Sequence, residues 1–313
     1  MSSFWEKLPK PFLVLAPMED VTDVVFREIV CSLARPDVFF TEFTNAEGLT
    51  SKGQAAVIHR LKYTKNQRPI VAQIWGTEPK SMFKAAELVR KLGFDGIDIN
   101  MGCTDKAVVK KGAGAGLIEN FDLVEEIISA VKKGAANLPV SVKTRLGSNK
   151  WIPYLLKQSL DALTIHARSA GMLMKGVANW DEIAEIVKIK DQISPQTQII
   201  GNGDIKNYKQ ALEMHKIHKV DGIMIGRGIF SNPWVFEKTP TTVHTKKHSL
   251  QALLKHVSEF KKVWGDTKNF NSLKKFLKMY INNFDGADAF RQKLMNSQSI
   301  ETLQGNLEDF LGH

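Results

Sequence analysis

Eight short apolar runs punctuate the first two-thirds of the chain at fairly even spacing: Phe12–Leu15, Val38–Thr41, Ile70–Ile74, Gly96–Asn100, Val140–Lys143, Ala162–His166, Gln198–Gly201 and Gly222–Gly226. Several are nearly continuous in hydrophobicity, the signature of parallel strands covered on both faces. Helical patterns lie between them. Pro79 to Leu92 opens at a proline, gathers Met82, Ala85, Ala86 and Val89 on one side and runs out at Gly93. Asp122 with Glu125 fits a capping box ahead of an apolar face of Leu123, Val124, Ile127, Ile128 and Val131, and Gly134 stands where that helix would stop. Strand and helix alternating eight times over about 230 residues is the arithmetic of a (β/α)8 TIM barrel, although a doubly wound open sheet shares the periodicity.

Beyond Trp234 no strand-like run follows, and helical periodicity takes over in Leu250–Val263, Ser272–Ile281 and Ala287–Met295. The expected organisation is a barrel over residues 1–240 and a small all-helical domain over 241–313, joined at Pro240, Thr241 and Thr242. With 313 residues, 43% hydrophobic and 24% charged, the chain can bury a large core and is far from the disordered regime. No apolar run approaches the ~20 residues that cross a bilayer, and Glu6, Lys7 and Lys10 stand where a signal core would be apolar. A soluble, cytoplasmic protein without a membrane partner is expected. Two cysteines, Cys31 and Cys103, cannot build a disulfide scaffold or a cysteine-built zinc site, so no metal is expected. The 43 Lys plus Arg against 33 Asp plus Glu give a net charge of +10, which favours a polyanionic partner.

In a barrel the catalytic groups come from the C-terminal ends of the strands. Those ends offer Pro17 and Met18, Glu42 and Asn45, Gln73, Asn100 and Cys103, Lys143 and Arg145, His166 and Arg168, then Asn202, Gly203 and Asp204, and finally Gly226 and Arg227. Every strand delivers a polar or glycine-rich group to one rim, and that collective pattern points to an enzyme. The Gly-Asn-Gly-Asp and Gly-Arg-Gly turns after the seventh and eighth strands let backbone N–H groups approach an anion, at the usual phosphate site of this fold. Taken alone, each glycine turn, a strand-end lysine such as Lys143 and a histidine such as His166 have ordinary structural readings. As a set, Gln73, Lys143 and His166 supply what an isoalloxazine ring requires, an amide for its hydrogen-bonding edge and a cation for the charge that gathers at N1 and O2 on reduction. Cys103 sits just past a strand end, ahead of a loop with Gly112, Gly114 and Gly116 that could act as a lid. Cys31 reads as a small buried hydrophobe.

Seven segments in register resemble the flavin-dependent tRNA-dihydrouridine synthases: residues 15–23 (LAPMEDVTD), 71–76 (VAQIWG), 98–103 (DINMGC), 142–145 (VKTR), 164–168 (TIHAR), 201–205 (GNGDI) and 224–228 (MIGRG), with Lys274 to Leu294 similar to the family's helical domain. The resemblance implies a barrel plus helical bundle, FMN as cofactor, NADPH (or NADH) as reductant and tRNA as substrate; a monomer is expected, although the sequence does not give the oligomeric state. It implies that Ala16, Pro17, Met18, Gln73, Lys143, His166, Asn202, Gly203, Asp204, Gly226 and Arg227 contact FMN. Cys103 falls on the family's catalytic acid, giving a proton to uridine C5 while hydride passes from flavin N5 to C6. Asn100, Arg145, Arg168, Lys274, Lys275 and Lys278 are expected at the substrate. In 272–281, Leu273, Phe276, Leu277 and Tyr280 form a buried stripe that leaves the three lysines outward.

The chain departs from the family pattern at Thr104, where many members have Pro, and at Ala170, Met172 and Met174, where many carry Arg, Gln and Tyr. Two rival readings remain: an FMN barrel acting on a free pyrimidine, resembling the dihydroorotate dehydrogenases, and an RNA-binding barrel without turnover. The net charge speaks against the first, and Cys103, Lys143 and His166 against the second.

Overall fold

The structure, a computed structural model, describes residues 3–239 and 243–312. Nine strands lie in one parallel sheet: β1 (Phe12–Leu15), β2 (Val38–Phe40), β3 (Thr44–Asn45), β4 (Ile70–Trp75), β5 (Gly96–Met101), β6 (Val140–Leu146), β7 (Ala162–Ser169), β8 (Gln198–Asn202) and β9 (Gly222–Ile225). The two-residue β3 continues the path of β2 past a bend and pairs with β4, while β2 pairs with both β1 and β4 and β1 pairs with β9. The sheet therefore closes on itself as a barrel of eight staves, each of the eight expected runs forming one. Because side chains alternate across a strand, Phe12 and Val14 fill the interior with Val38, Phe40, Val71 and Ile200, while Leu13 and Leu15 face the helices outside. Trp5 packs on Phe12 and Phe40 and plugs the interior.

The helix Pro79–Lys91 starts with proline in its first turn, buries Met82, Ala85, Ala86 and Val89, and is followed by Gly93 at φ +78°. The helix Phe121–Ala135 corrects two expectations. Its N-cap is Asn120, without a side-chain cap, so Asp122 lies inside the first turn and no capping box forms. Gly134 does not stop it either; a Cβ there would stand 2.3 Å from the Phe83 carbonyl oxygen, so the glycine lets two helices touch.

A C-terminal helical region follows, with helices Lys246–Trp264, Ala287–Met295 and Ile300–Gly312; the last was not expected. The segment expected as one helix over 272–281 is a 3-10 helix, Phe270–Phe276, running into a short α-helix, Leu277–Tyr280, and Leu273, Phe276, Leu277 and Tyr280 are buried as expected. The junction at Pro240, Thr241 and Thr242, and with it the 240/241 boundary, lies outside the described residues. These helices grip the barrel near its rim. Phe276 stacks on Phe26, and the buried Asp23 carboxylate caps Phe26 N at 2.9 Å while accepting from Trp264 Nε1 at 3.1 Å and Lys268 Nζ at 2.8 Å. Among the described residues no helix is long and apolar enough to cross a membrane.

Candidate active site

The C-terminal ends of the strands surround a cavity of about 510 Å³, within the range of sites for small organic ligands. Its wall includes Ala16, Pro17 and Met18 after β1, Gln73 on β4, Asn100 on β5, Cys103, Lys143 and Arg145 on β6, His166 on β7, Asn202 to Asp204 after β8, and Gly226 and Arg227 after β9. All the residues expected to touch a cofactor are thus brought to one place, with Cys103 among them. Arg168, Lys274, Lys275 and Lys278 are not part of that wall.

A buried hydrogen-bond chain orders one side. Asp98 on β5 is flanked in register by Gln73 on β4 and Ser141 on β6. Its carboxylate accepts from Gln73 Nε2 at 2.7 Å and Ser141 Oγ at 2.6 Å. Gln73 Oε1 in turn accepts from Asn100 Nδ2 at 2.9 Å, and Asn100 Oδ1 accepts the backbone N–H of Gly102 at 3.1 Å and of Cys103 at 2.9 Å. A carboxylate at one end can only accept, so every amide along the chain is held in one orientation. Burial raises Asp98 to about 6, against its two hydrogen bonds and the Lys143 charge. Asp98 was missed in the sequence; an acid inside an otherwise apolar strand, with Gln and Ser at matching positions next door, was the available signal.

Cys103 is half-buried, and burial pushes its thiol above the ordinary range, aided by the charges of Asp105 and Glu19 and opposed by the Asp105 N–H and by Lys143. The glycine segment behind it is not a free lid. Ala115 N donates to Cys103 O at 2.8 Å, Ala113 and Leu117 are buried, and a Cβ on Gly114 would lie 2.7 Å from Cys103 O. Gly114, at φ +58°, lets the segment pack against the cysteine. Cys31 is half-buried, not fully buried as expected, with its thiol facing Asn66 O at 3.4 Å.

Burial first, and Arg145 next, lower the Lys143 ammonium to about 8. His166 is buried among Lys143, Arg145, Arg168 and Arg227, which together with desolvation press it far below its ordinary range and leave the ring neutral. Arg168 Nη1 lies 3.2 Å from His166 Nε2; because a guanidinium can only donate, Nε2 is the acceptor and the proton sits on Nδ1.

The arginines expected at a substrate are occupied by the protein. Arg168 donates to the carbonyls of Lys175 and Gly176 and to Asp204 Oδ2 at 2.6 Å. Arg145 reaches the cavity, but its guanidinium donates to Gly102 O, Ser169 O and Leu173 O. Both staple the loop after β7, a use of arginine that spacing cannot reveal. Burial would raise Asp204, but the Arg168 hydrogen bond, the Ala178 N–H and the Arg168 and Arg227 charges outweigh it and keep the carboxylate ionised. Nor do all three tail lysines face outward. Lys274 is half-buried, its Nζ donating to Ser297 O at 2.8 Å; Lys275 and Lys278 are exposed as expected, although Lys275 Nζ also donates to Asp20 O in the loop after β1.

The opposite side is built from backbone. Gly203, at φ +142°, lies where a Cβ would come 2.7 Å from the Ala178 methyl, and Trp180 Nε1 donates to its carbonyl at 3.0 Å. At Gly226 a Cβ would meet only Ala16 Cβ at 3.5 Å and Met18 Sδ at 3.7 Å, so glycine there keeps space open among lining atoms.

The family model of dihydrouridine synthase (Dus) matches residues 14–312. A protein of Staphylococcus aureus strain COL described as a probable tRNA-dihydrouridine synthase is 45% identical over 316 residues, covering 98% of this chain and 95% of that protein. Probable tRNA-dihydrouridine synthase 2 of Bacillus subtilis strain 168 is 44% identical over 318 residues, covering 98% and 96%.

Proposed function

The chain belongs to the dihydrouridine synthase family, and on that premise we propose that it reduces uridine to dihydrouridine in tRNA, with FMN in the rim cavity, NADPH as reductant and Cys103 as the acid. One observation carries the reading: a half-buried thiol, a half-buried lysine and an oriented amide line the same cavity, opposite a glycine-rich wall.

The residues present suit FMN. Ala16, Pro17 and Met18 offer an apolar wall for a ring, Gln73 retains one amide hydrogen for the ring's polar edge, and Lys143 with the His166 Nδ1–H suits its N1 and O2 side. Asn202, the backbone N–H groups of Gly203, Asp204 and Gly226, and Arg227 suit the phosphate, the Asp204 carboxylate being neutralised by Arg168, and the space kept open at Gly226 is what such an occupant needs. Bound FMN, once reduced by NADPH, supplies hydride from N5 to uridine C6.

Cys103 delivers the proton to C5 from the opposite face, so one hydride and one proton saturate the C5–C6 bond. The resulting thiolate is reprotonated from water, which its half-exposed position admits. Burial favours the protonated thiol, the form a general acid must hold. Lys143 keeps positive charge beside the ring edge where negative charge develops. Asn100 shapes the turn that presents Cys103 and retains one amide hydrogen for the base, whereas Arg145 and Arg168 serve the substrate through the loop they hold. The C-terminal region, residues 241–313, carries 11 Lys plus Arg against 7 Asp plus Glu and gives the RNA a second surface.

Protein reconstituted with FMN and given NADPH and unmodified tRNA is expected to be yellow, to hold one FMN per chain and to form dihydrouridine detectable by nucleoside mass spectrometry. Colourless protein that FMN cannot reconstitute sinks the reading, and reduction of free pyrimidines in preference to tRNA would return it to a metabolite-reducing barrel.

A further inference from the structure

Beside the cavity that holds Cys103 lies a second, about 410 Å³, lined by Thr104, Lys106, Val109, Lys110, Ala115, Ala170 and Leu173. Thr104 lines both hollows. The loop after β7 forms the partition: Met174 faces the first and Leu173 the second. That loop carries a cluster of exposed apolar side chains, Met172 at 37%, Leu173 at 47%, Met174 at 43% and Val177 at 82% exposure, with Val109, also lining the hollow, at 38%. The backbone of this loop is fixed in place, because Arg145 holds the Leu173 carbonyl at 2.6 Å and Arg168 holds those of Lys175 and Gly176. Clustered apolar surface exposed in this way marks an interaction site.

We propose that this second hollow receives the nucleoside adjacent to the target uridine in the RNA chain. The proposal rests on the tRNA-reduction reading above and deepens it. The occupant follows from the chemistry of the walls. A nucleobase has two apolar faces, which Leu173 and Val109 can cover, and it is joined to its neighbour by a phosphate, which the exposed Lys106 and Lys110 at the hollow's edge complement. Extruding one base from a folded RNA unstacks the next, and an apolar shelf beside the reaction cavity replaces part of that lost stacking. Because Leu173, Val109, Ala115 and Ala170 carry no hydrogen-bonding side-chain groups, the apolar part of the hollow grips the flanking base by its faces, leaving only Thr104 and the two lysines to meet polar atoms.

The test crosses a change in the RNA with one in the protein. First, one uridine that the FMN-loaded wild type reduces is mapped in a tRNA; failure to reduce any uridine would count against the function, not against the shelf. The same tRNA is then assembled with an abasic residue immediately 5′ or immediately 3′ of that uridine. The wild type is expected to lose about tenfold in kcat/KM on one of the two abasic substrates, the order of one lost base contact. The double variant Leu173→Ser with Val109→Ser is expected to lose a similar factor on intact tRNA and little more on that abasic substrate, while oxidising NADPH at the wild-type rate. Equal rates on intact and abasic tRNA, or losses that multiply between protein and RNA changes, would overturn the proposal. As a second arm, Lys106→Gln with Lys110→Gln is expected to shallow the salt dependence of tRNA binding; an unchanged slope would remove the phosphate from the proposed site.

Discussion

The two sides of the rim are made differently. From β4 to β7 the wall is side chain: Asp98, Gln73, Asn100 and the Cys103 turn form one hydrogen-bonded chain, with Lys143 and His166 beside it. From β8 round to β1 the wall is interrupted by small residues, Gly203, Gly226 and Ala16, that leave backbone open to the cavity between larger side chains such as Met18 and Arg227. The first side can be altered atom by atom, because each group has a defined partner and charge. The second is altered by volume at its glycines, where a side chain would fill space that the backbone leaves open. On the proposed reading, chemistry that moves a proton falls to the first and the holding of a phosphate to the second.

The most severe break of the side-chain wall is Cys103→Ala. Uridine reduction should fall by about 10² to 10⁴, the range for a lost general acid, while FMN content and NADPH oxidation stay near wild type. Cys31→Ala should retain activity, and equal losses in the two variants would remove the special standing of Cys103. Next, Lys143→Ala should slow flavin reduction by about 10² to 10³, as for other lost electrostatic contacts in a dry site. The ammonium lies near 8, below the ordinary lysine value, so its charge is present below that pH and lost above it. Stopped-flow flavin reduction should therefore decline as pH rises past about 8, at a higher pH if a bound anion lifts the lysine, and the decline should be absent from Lys143→Ala.

The backbone wall should respond to volume alone. Gly203→Ala, forced against Ala178 at a φ unfavourable for a side chain, should lower the Tm and weaken FMN binding, the overpacking costing about 1 to 3 kcal/mol. Gly226→Ala has room in the protein, so its Tm should match wild type while FMN titrated by fluorescence binds more weakly; equally tight binding would show that the space at Gly226 is not used. The smallest effect belongs to Lys278→Glu on the tail, which should weaken tRNA binding a few-fold and reduce its salt slope by about one phosphate contact. It replaces a change of all three lysines, since Lys274 and Lys275 already bind the protein.

The barrel was legible because doubly covered strands spell unbroken apolar runs, and the site because the polar residues that end those runs converge wherever the strands do. What stayed hidden depends on pairing across the sheet. Gln73, Asp98 and Ser141 are far apart in sequence and adjacent only in strand register. Arg145 and Arg168 looked like substrate contacts because spacing locates a strand end but not the carbonyls that fold back onto it. The asparagine cap of the helix Phe121–Ala135 lost out to an apparent capping box for the same reason: a motif fixes residue types, whereas the geometry decides which one starts the helix.

The grip of Trp264 and Lys268 on Asp23 also bears on inheritance. Asp23 begins the helix after β1 and sits a few residues beyond Pro17 and Met18, so the far end of the chain is written into the cavity's own border. A lineage that exchanged these helices for another appendage would expose Phe26 and strand a buried carboxylate without its cation. Barrel and appendage must therefore diverge together, one tolerating substitutions only as fast as the other accommodates them.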